Sequence, residues 1–523
     1  MKNQSNTTTF LKGAAWLTLS TIILKVIGLI YKVPLSYMLG DEGMGYFNSA
    51  YTVYVLFYVV GTSGIPRAIS ILVAKREAES QCEADAIFRS AFKFFFAAGV
   101  ILLIIFFCGA DMFSIYIGNP RSALAMYSIA PSILFVCAGG VIRGYLSGRM
   151  RFAPIAVSEL ISGLLKLVLG LLLANMAIRS GKSLPQIAAY TLLGITVGSL
   201  VSLIYLALVY LRVPKARPRA TLPLKKTIND ILRIAIPITL ASVVGSIVSI
   251  LDLILIMNGL EDSGYSTTLA NILYGSYTTL AVPMLSLVST LISPITTAML
   301  PILAASSAKS DKAEYSTHLT TSLSLTCLIT TPPAVFFAAF SREILSVIFE
   351  EGSAALSAPF LAFLAPGILL IGPLTAINTA LEGSGRPSAA FLSLFLGAVA
   401  KLIVGISLLK WTNLGILCAP IGTSVSYLIS FLVSRLYIKS TTEASVPVSR
   451  SLFAPLTASV ISAFATAMFM KFIDLPASIR MSGLVCTAFF ATLYIVTLLI
   501  LSPRIRNTVL QYGKMNKKQT KQL

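Results

Sequence analysis

Fourteen stretches of this chain are each long and apolar enough to cross a bilayer, and little is left over to fold in any other way. They lie near 12–39, 46–74, 90–110, 122–147, 153–177, 186–211, 228–258, 268–305, 316–340, 356–383, 388–409, 413–438, 452–473 and 481–502. A helix needs about 20 mostly apolar residues to span hydrocarbon. Within hydrocarbon, a helix or a closed barrel alone satisfies the backbone's polar groups, and runs of this length predict helices. The expected fold is all-α and integral to the membrane, with 14 transmembrane helices. Charged residues are 11% of the 523, against about 25% in soluble domains, and no polar stretch is long enough to form one. The eighth run is the longest and holds Pro283, Pro294 and Pro301, which predicts bending or extra tilt. The N-terminal segment is too long for a signal peptide and has no A-x-A-like cleavage site, so it reads as a retained first span.

Orientation follows from Lys and Arg in the connections. With both termini inside, the inner segments hold 26 of the 40 Lys and Arg and the outer loops hold 7. Both termini are therefore expected in the cytoplasm, in a multi-pass protein of the cytoplasmic membrane. The same asymmetry, together with attraction to anionic membrane lipids, accounts for a net charge of +20, and no nucleic-acid motif competes with it. The outer loops are short and several are acidic, such as those holding Asp41-Glu42 and Glu350-Glu351. Membrane glycosyltransferases usually keep catalytic carboxylates on sizeable loops, so no catalytic residue is assigned and an enzyme is not expected. Six scattered cysteines without a CxxC, and a single histidine (His318), give no disulfide framework, metal site or cofactor motif.

The chain repeats itself. "APSILFVCAGGVIRGYLSGRMR" (130–151) matches "APGILLIGPLTAINTALEGSGR" (365–386), and "LLKLVLG" (164–170) matches "VAKLIVG" (399–405), all at one offset of 235. Lys166 and Lys401 are an identical pair, as are Gly170 and Gly405. The matched stretches are spans four and five against ten and eleven, so the repeat unit is six spans and its copies are parallel. The expected organisation is an N-terminal six-helix bundle (1–211), a basic Pro-rich linker (212–226), a C-terminal six-helix bundle (227–440), helices 13 and 14 (441–502) and a basic tail (503–523).

Charges inside spans are costly, about 2.5–3.5 kcal/mol each on insertion scales, and so belong against protein or water. Arg143, Arg233 and Glu382 lie near span ends and read as snorkelling to the inner interface. Lys25, Gly28 and Lys32 share one helical face, as do Glu159, Gly163, Lys166 and Gly170. Glycine beside each charge suits either a cavity wall or a close helix contact, and a structural Glu159–Lys166 pair is a second reading of the latter face. Cations outnumber acids within the spans. Lys25, Lys32, Arg67, Lys166 and Lys401 are accordingly the candidate residues for an anionic, phosphate-bearing substrate. Asp252 and Glu159 are candidates for binding a coupling cation or for charge pairs. The repeat places Lys166 and Lys401 equivalently, facing each other's half of the molecule across a central space.

The segment 37–79, through Leu39-Gly40, Glu42-Gly43, Gly45, Phe47, Gly64-Ile65-Pro66 and Ala68-Ile69-Ser70, resembles the polysaccharide-flippase branch of the multidrug/oligosaccharidyl-lipid/polysaccharide superfamily. "MLPILAASSA" (299–308) is similar to the end of the eighth helix in its stage V sporulation protein B-like group, whose relatives include lipid II flippases. The resemblance covers essentially the whole chain. It implies two bundles around a cavity that opens alternately to each side and carries an undecaprenyl-diphosphate-linked sugar, a peptidoglycan or related wall or spore precursor, driven by Na+, H+ or the membrane potential. Lys25 matches a first-helix position that is cationic in lipid II flippases. The next first-helix cation of that group falls on Tyr31 rather than Lys32, and the cation expected early in the eighth helix falls among Ser276, Tyr277 and Thr278. Two other readings remain: a drug/cation antiporter of the same superfamily, which would want more carboxylate than Glu159 in the first bundle, and a non-transporting partner of the wall-synthesis machinery.

Overall fold

The computed structural model describes residues 2–77, 81–213, 224–308, 312–442, 448–472 and 479–501. The tail 503–523, the side chain of Lys25 and most of the 212–226 linker lie outside the described residues. The helices are α1 (Lys2–Thr62), α2 (Gly64–Glu77), α3 (Gln81–Tyr116), α4 (Ala123–Ile129), α5 (Pro131–Gly148), α6 (Phe152–Arg179), α7 (Leu184–Arg212), α8 (Leu224–Asp262) and α9 (Thr267–Ser276). After these come α10 (Val282–Ala308), α11 (Lys312–Ala339), α12 (Ser341–Ile348), α13 (Glu351–Gly383), α14 (Pro387–Trp411), α15 (Cys418–Thr442), α16 (Val448–Phe472) and α17 (Ile479–Leu501). No strand occurs among the described residues. Thirteen stretches among them are long and apolar enough to span a membrane. They correspond one to one with the second to fourteenth runs read from the sequence; the first run falls partly on residues with undescribed side chains.

Local chemistry sets where the helices break. α1 is two spans, divided at Gly40, whose φ of 62° and ψ of −178° suit a residue without a Cβ. The eighth span is interrupted ahead of the first of its prolines. Between α9 and α10, residues Tyr277–Ala281 form one wide π-turn just ahead of Pro283. Pro283 has no N–H to give the preceding turn, and the wider turn takes up the change. α7 begins with a capping box, Ser183 N–H donating to Gln186 Oε1 at 3.1 Å, with a proline in its first turn.

Packing divides the chain into two compact units, Met1–Gly275 and Ser276–Leu523. In the first, α5 lies on the end of α1 and on α2 through three glycines one turn apart. A Cβ at Gly140 would sit 2.6 Å from the Gly61 carbonyl oxygen, one at Gly144 2.7 Å from that of Pro66, and one at Gly148 2.8 Å from that of Ser70. Lipid tails are as apolar as leucine, so helices in a bilayer associate by close backbone approach rather than by expelling water. α6 and α7 meet the same way, with Gly194 against the backbone of Gly170 and Gly198 against Ser162. The apolar cluster around Ile69, Phe88, Tyr145 and Leu206 fills the space between α2, α3, α5 and α7.

The second unit keeps the repeated seam. α14 starts at Pro387 and α13 ends at Gly383, each 235 residues after the start of α6 and the end of α5. Gly422 of α15 lies over Lys401, its Cβ position 3.2 Å from the Lys401 carbonyl oxygen and 3.9 Å from the Gly405 nitrogen. α16 and α17 pack on α11 and α12: Ser324 and Ser451 share a 3.1 Å hydrogen bond, and Tyr494 donates to the Leu328 carbonyl at 3.0 Å.

The packing boundary at Gly275 differs from the linker boundary that the repeat suggests. α8 and the start of α9 pack within the first unit. Gly64 lies against the Ala235 carbonyl, Asn258 donates to the Tyr116 carbonyl at 3.2 Å, and Asn271 donates to that of Glu42 at 2.7 Å. Gly275 also sits directly on the backbone of Asp41 and Gly45, so a covalent repeat edge and a compact packing edge need not coincide.

Candidate functional site

The first unit gathers charge at two levels. At one level, α6 presents Lys166 to two tyrosines of α1. The Lys166 Nζ lies 5.2 Å from the Tyr31 ring centre and 4.9 Å from that of Tyr51, within the range of cation–π attraction. Gly170, one turn further along α6, makes room for the Tyr31 ring, since a Cβ there would fall 2.9 Å from Tyr31 Cε2. Gly163 does the same for Leu24. The glycines of this stripe therefore serve close helix contact, which holds Lys166 against aromatic faces. Lys32, one residue beyond Tyr31, lies within electrostatic reach of Lys166. Gly28, a turn before Lys32, has nothing within 4 Å of its Cβ position, so this face of α1 is open there.

The second level lies two turns along both helices. Tyr58 is seven residues after Tyr51 on α1, and Glu159 is seven before Lys166 on α6, about 10.5 Å of helix in each case. Tyr58 lies within electrostatic reach of Arg143 and Glu159. Arg143 donates to Ser202 Oγ at 3.4 Å, while its buried Nε has no hydrogen-bond partner. Glu159 interacts electrostatically with Arg143 but makes no salt bridge to it. A cavity of about 40 Å³ opens here, lined by Tyr58, Gly139, Arg143, Ser162, Ser199 and Ser202 among others. Phe47, Tyr51, Tyr54 and Tyr58 run along one side of α1 with successive ring centres 5.8 to 6.0 Å apart, joining the two levels.

The sequence candidates fare unequally. Lys32, Lys166 and Glu159 come together along α1 and α6. Glu159 meets Arg143 of α5 instead of Lys166, seven residues away on its own helix. Arg143, read as an interfacial snorkel, is instead half-buried inside the unit. Arg67 is exposed on α2 and makes no polar contact among the described residues. Asp252 of α8 is half-buried and lies within electrostatic reach of Tyr274, whose hydroxyl pairs with Thr52 at 3.3 Å. Lys401 sits at the α14–α15 seam of the second unit. Arg233 and Glu382 are exposed, as snorkelling residues would be. No group of three or more potential metal ligands occurs among the described residues.

Sequence reasoning missed two features. One is the tyrosine ladder, which the spacing 47, 51, 54 and 58 could have revealed. The other is a charge cluster at the end of α5. Asp85 accepts a short hydrogen bond from Tyr145 and pairs with Arg149 at 3.4 Å, and the Arg149 guanidinium stands 4.8 Å from the Tyr145 ring centre. Both charged side chains are only 6% exposed.

This fold of apolar helices, with cations held inside the first unit, is that of a multi-pass membrane protein. Comparison with known proteins gives the family. Residues 10–307 match the polysaccharide biosynthesis protein family, more than half of the chain, and the chain belongs to that family. Residues 276–406 match the MatE family. Stage V sporulation protein B of Bacillus subtilis (strain 168) is 23% identical over 508 residues, covering 94% of this chain and 95% of the relative. Lipid II flippase MurJ of the same organism is 22% identical over 454 residues, covering 82% of each. Among solved structures, a lipid II flippase MurJ in an inward closed conformation superposes with a TM-score of 0.74 at 17% identity, over 94% of this chain and 99% of that one. An inward-facing multidrug resistance MATE transporter of the MOP superfamily gives 0.67 at 15% identity, over 83% and 99%. The chain is thus a flippase-like transporter of the multidrug/oligosaccharidyl-lipid/polysaccharide superfamily, not an enzyme.

Proposed function

We propose that this protein is a flippase that moves an undecaprenyl-diphosphate-linked sugar, a peptidoglycan or related wall or spore precursor, across the cytoplasmic membrane by alternating access, with both termini cytoplasmic. The observation that carries this reading is the pair Lys32 and Lys166. Two ammonium groups within reach of each other in a membrane-spanning bundle repel, and each is costly to desolvate. A diphosphate placed between them offsets both costs. Tyr31 and Tyr51 lower the cost for Lys166 while the site is empty. In this reading the polyprenyl chain stays in lipid and only the headgroup enters the cationic site; Lys25, Arg67 and Lys401 are the other cations proposed for substrate binding. Asp252, beside Tyr274, is the acid best placed to answer a coupling ion or the membrane potential.

The names of the relatives support the same substrate class. The antiporter reading loses its key residue, since Glu159 faces Arg143 and a guanidinium there opposes a cationic drug. The test is reconstitution of the full chain into liposomes, with the accessibility of a labelled undecaprenyl-diphosphate-linked sugar as readout. Wild type transfers the lipid between leaflets and Lys166→Ala does not. Equal transfer by both removes the cationic site from the mechanism.

A further inference from the structure

The two levels of the first unit are built differently. The first level, Lys32 and Lys166, is cationic and suits phosphate. The second level is mixed: a carboxylate, a guanidinium, a tyrosine ring and serine hydroxyls beside one cavity. We propose that Tyr58, Arg143, Glu159 and Ser202 form a sugar-binding subsite that reads the glycan of the substrate while Lys32 and Lys166 hold its diphosphate. The proposal rests on the flippase reading and deepens it by assigning substrate selection to residues distinct from those that bind charge.

The chemistry of the groups carries the assignment. A pyranose offers an apolar C–H face and a rim of hydroxyls that both donate and accept. Tyr58 is 37% exposed, while Tyr54 beside it on the ladder is 2% exposed. Tyr58 is therefore the ladder's available platform at this level. Glu159 accepts only, and Arg143 donates only. The two sit close enough to attract each other without closing into a salt bridge, so each keeps hydrogen-bonding capacity. Arg143 Nε is a buried donor with no partner beside the cavity, and a buried unmet donor is costly to leave so. A sugar hydroxyl between Arg143 and Glu159 satisfies both groups at once. The separation of the levels, seven residues and about 10.5 Å along each helix, leaves room for a ring beyond the diphosphate.

Two probes separate this subsite from the reading it rests on: undecaprenyl diphosphate without sugar, and the same lipid bearing a disaccharide. Binding of each to the purified full-length chain in nanodiscs gives a ratio of affinities. Wild type should favour the sugar-bearing lipid by about tenfold, the worth of one or two net hydrogen bonds. Tyr58→Ala and Arg143→Gln should bring the ratio towards one and leave the sugar-free lipid unaffected, whereas Lys166→Ala should weaken both lipids alike. Glu159→Gln and Tyr58→Phe preserve shape and guard against misfolding: the first should lower the ratio, and the second should keep most of it. A ratio unchanged in Tyr58→Ala and Arg143→Gln, or a fall for both lipids together, overturns the subsite while the flippase reading stands. Wild type that binds neither lipid overturns both.

Discussion

Lys166 and Lys401 occupy the same place in a 235-residue repeat, yet the two units treat them differently. The helix seam around each is conserved in kind. Gly198 of α7 lies beside the backbone of Lys166 and Gly422 of α15 beside that of Lys401, 3.5 Å and 3.2 Å from nitrogen and oxygen respectively. The burial of charged side chains in the two units is not. Lys166 stands over two tyrosine rings with Lys32 nearby, and its unit also buries Asp85 with Arg149. Among the described residues of the second unit, the buried polar side chains are Ser, Thr and Asn only. Asn378 there accepts from Ser434 at 2.7 Å, a neutral bond at the position that the repeat matches to Arg143. Helix packing depends on a few small residues and survives duplication. Charge in a membrane is costly wherever it is not used, and among the described residues the buried carboxylate, Asp85, lies in the first unit.

Six substitutions test that contrast. The largest effect should come from Asp85→Asn, which leaves the buried Arg149 without its counter-charge and costs about 3–5 kcal/mol; Thr320→Ala, at the repeat-equivalent position, should leave the melting temperature in detergent nearly unchanged. Lys166→Ala should slow transfer of the lipid-linked sugar about 100-fold, equivalent to about 2.7 kcal/mol, in the liposome assay. Gly198→Ala places a methyl 2.9 Å from the Ser162 carbonyl oxygen and should destabilise by about 1–3 kcal/mol. Gly422→Ala meets its nearest atom at 3.2 Å and should cost less than that in the same melting experiment. Lys401→Ala should change transfer least, by about threefold or less, under 1 kcal/mol. A Lys401→Ala loss as deep as that of Lys166→Ala would break the contrast.

Much of this was legible in the sequence. Apolar run length alone places the spans, because hydrocarbon admits no other backbone solution. The repeat fixes the relation of α5 and α6 to α13 and α14 to the residue. The stripe of Glu159, Gly163, Lys166 and Gly170 shows correctly that this face of α6 meets protein. What it touches was not legible. Helical periodicity tells which residues share a face but not which neighbour fills it, so it leaves a Glu159–Lys166 pair open as a second reading, whereas the charge that Glu159 interacts with, Arg143, comes from another helix. Arg143 itself was hidden by its place near a span end, where snorkelling is the ordinary outcome. The packing edge at Gly275 was hidden for a similar reason: it depends on Asn271 and Gly275 reaching the second half of α1, a long-range contact with no local mark beyond two small or polar residues.

The most direct test of the central claim, that the anionic headgroup is handled by the first unit, is transfer of a labelled undecaprenyl-diphosphate-linked sugar in liposomes by Lys32→Ala/Lys166→Ala and by Lys401→Ala, each at matched reconstitution. The account predicts transfer abolished in the double variant and retained in Lys401→Ala. Transfer retained in the double variant, with Lys401→Ala inactive, would contradict it.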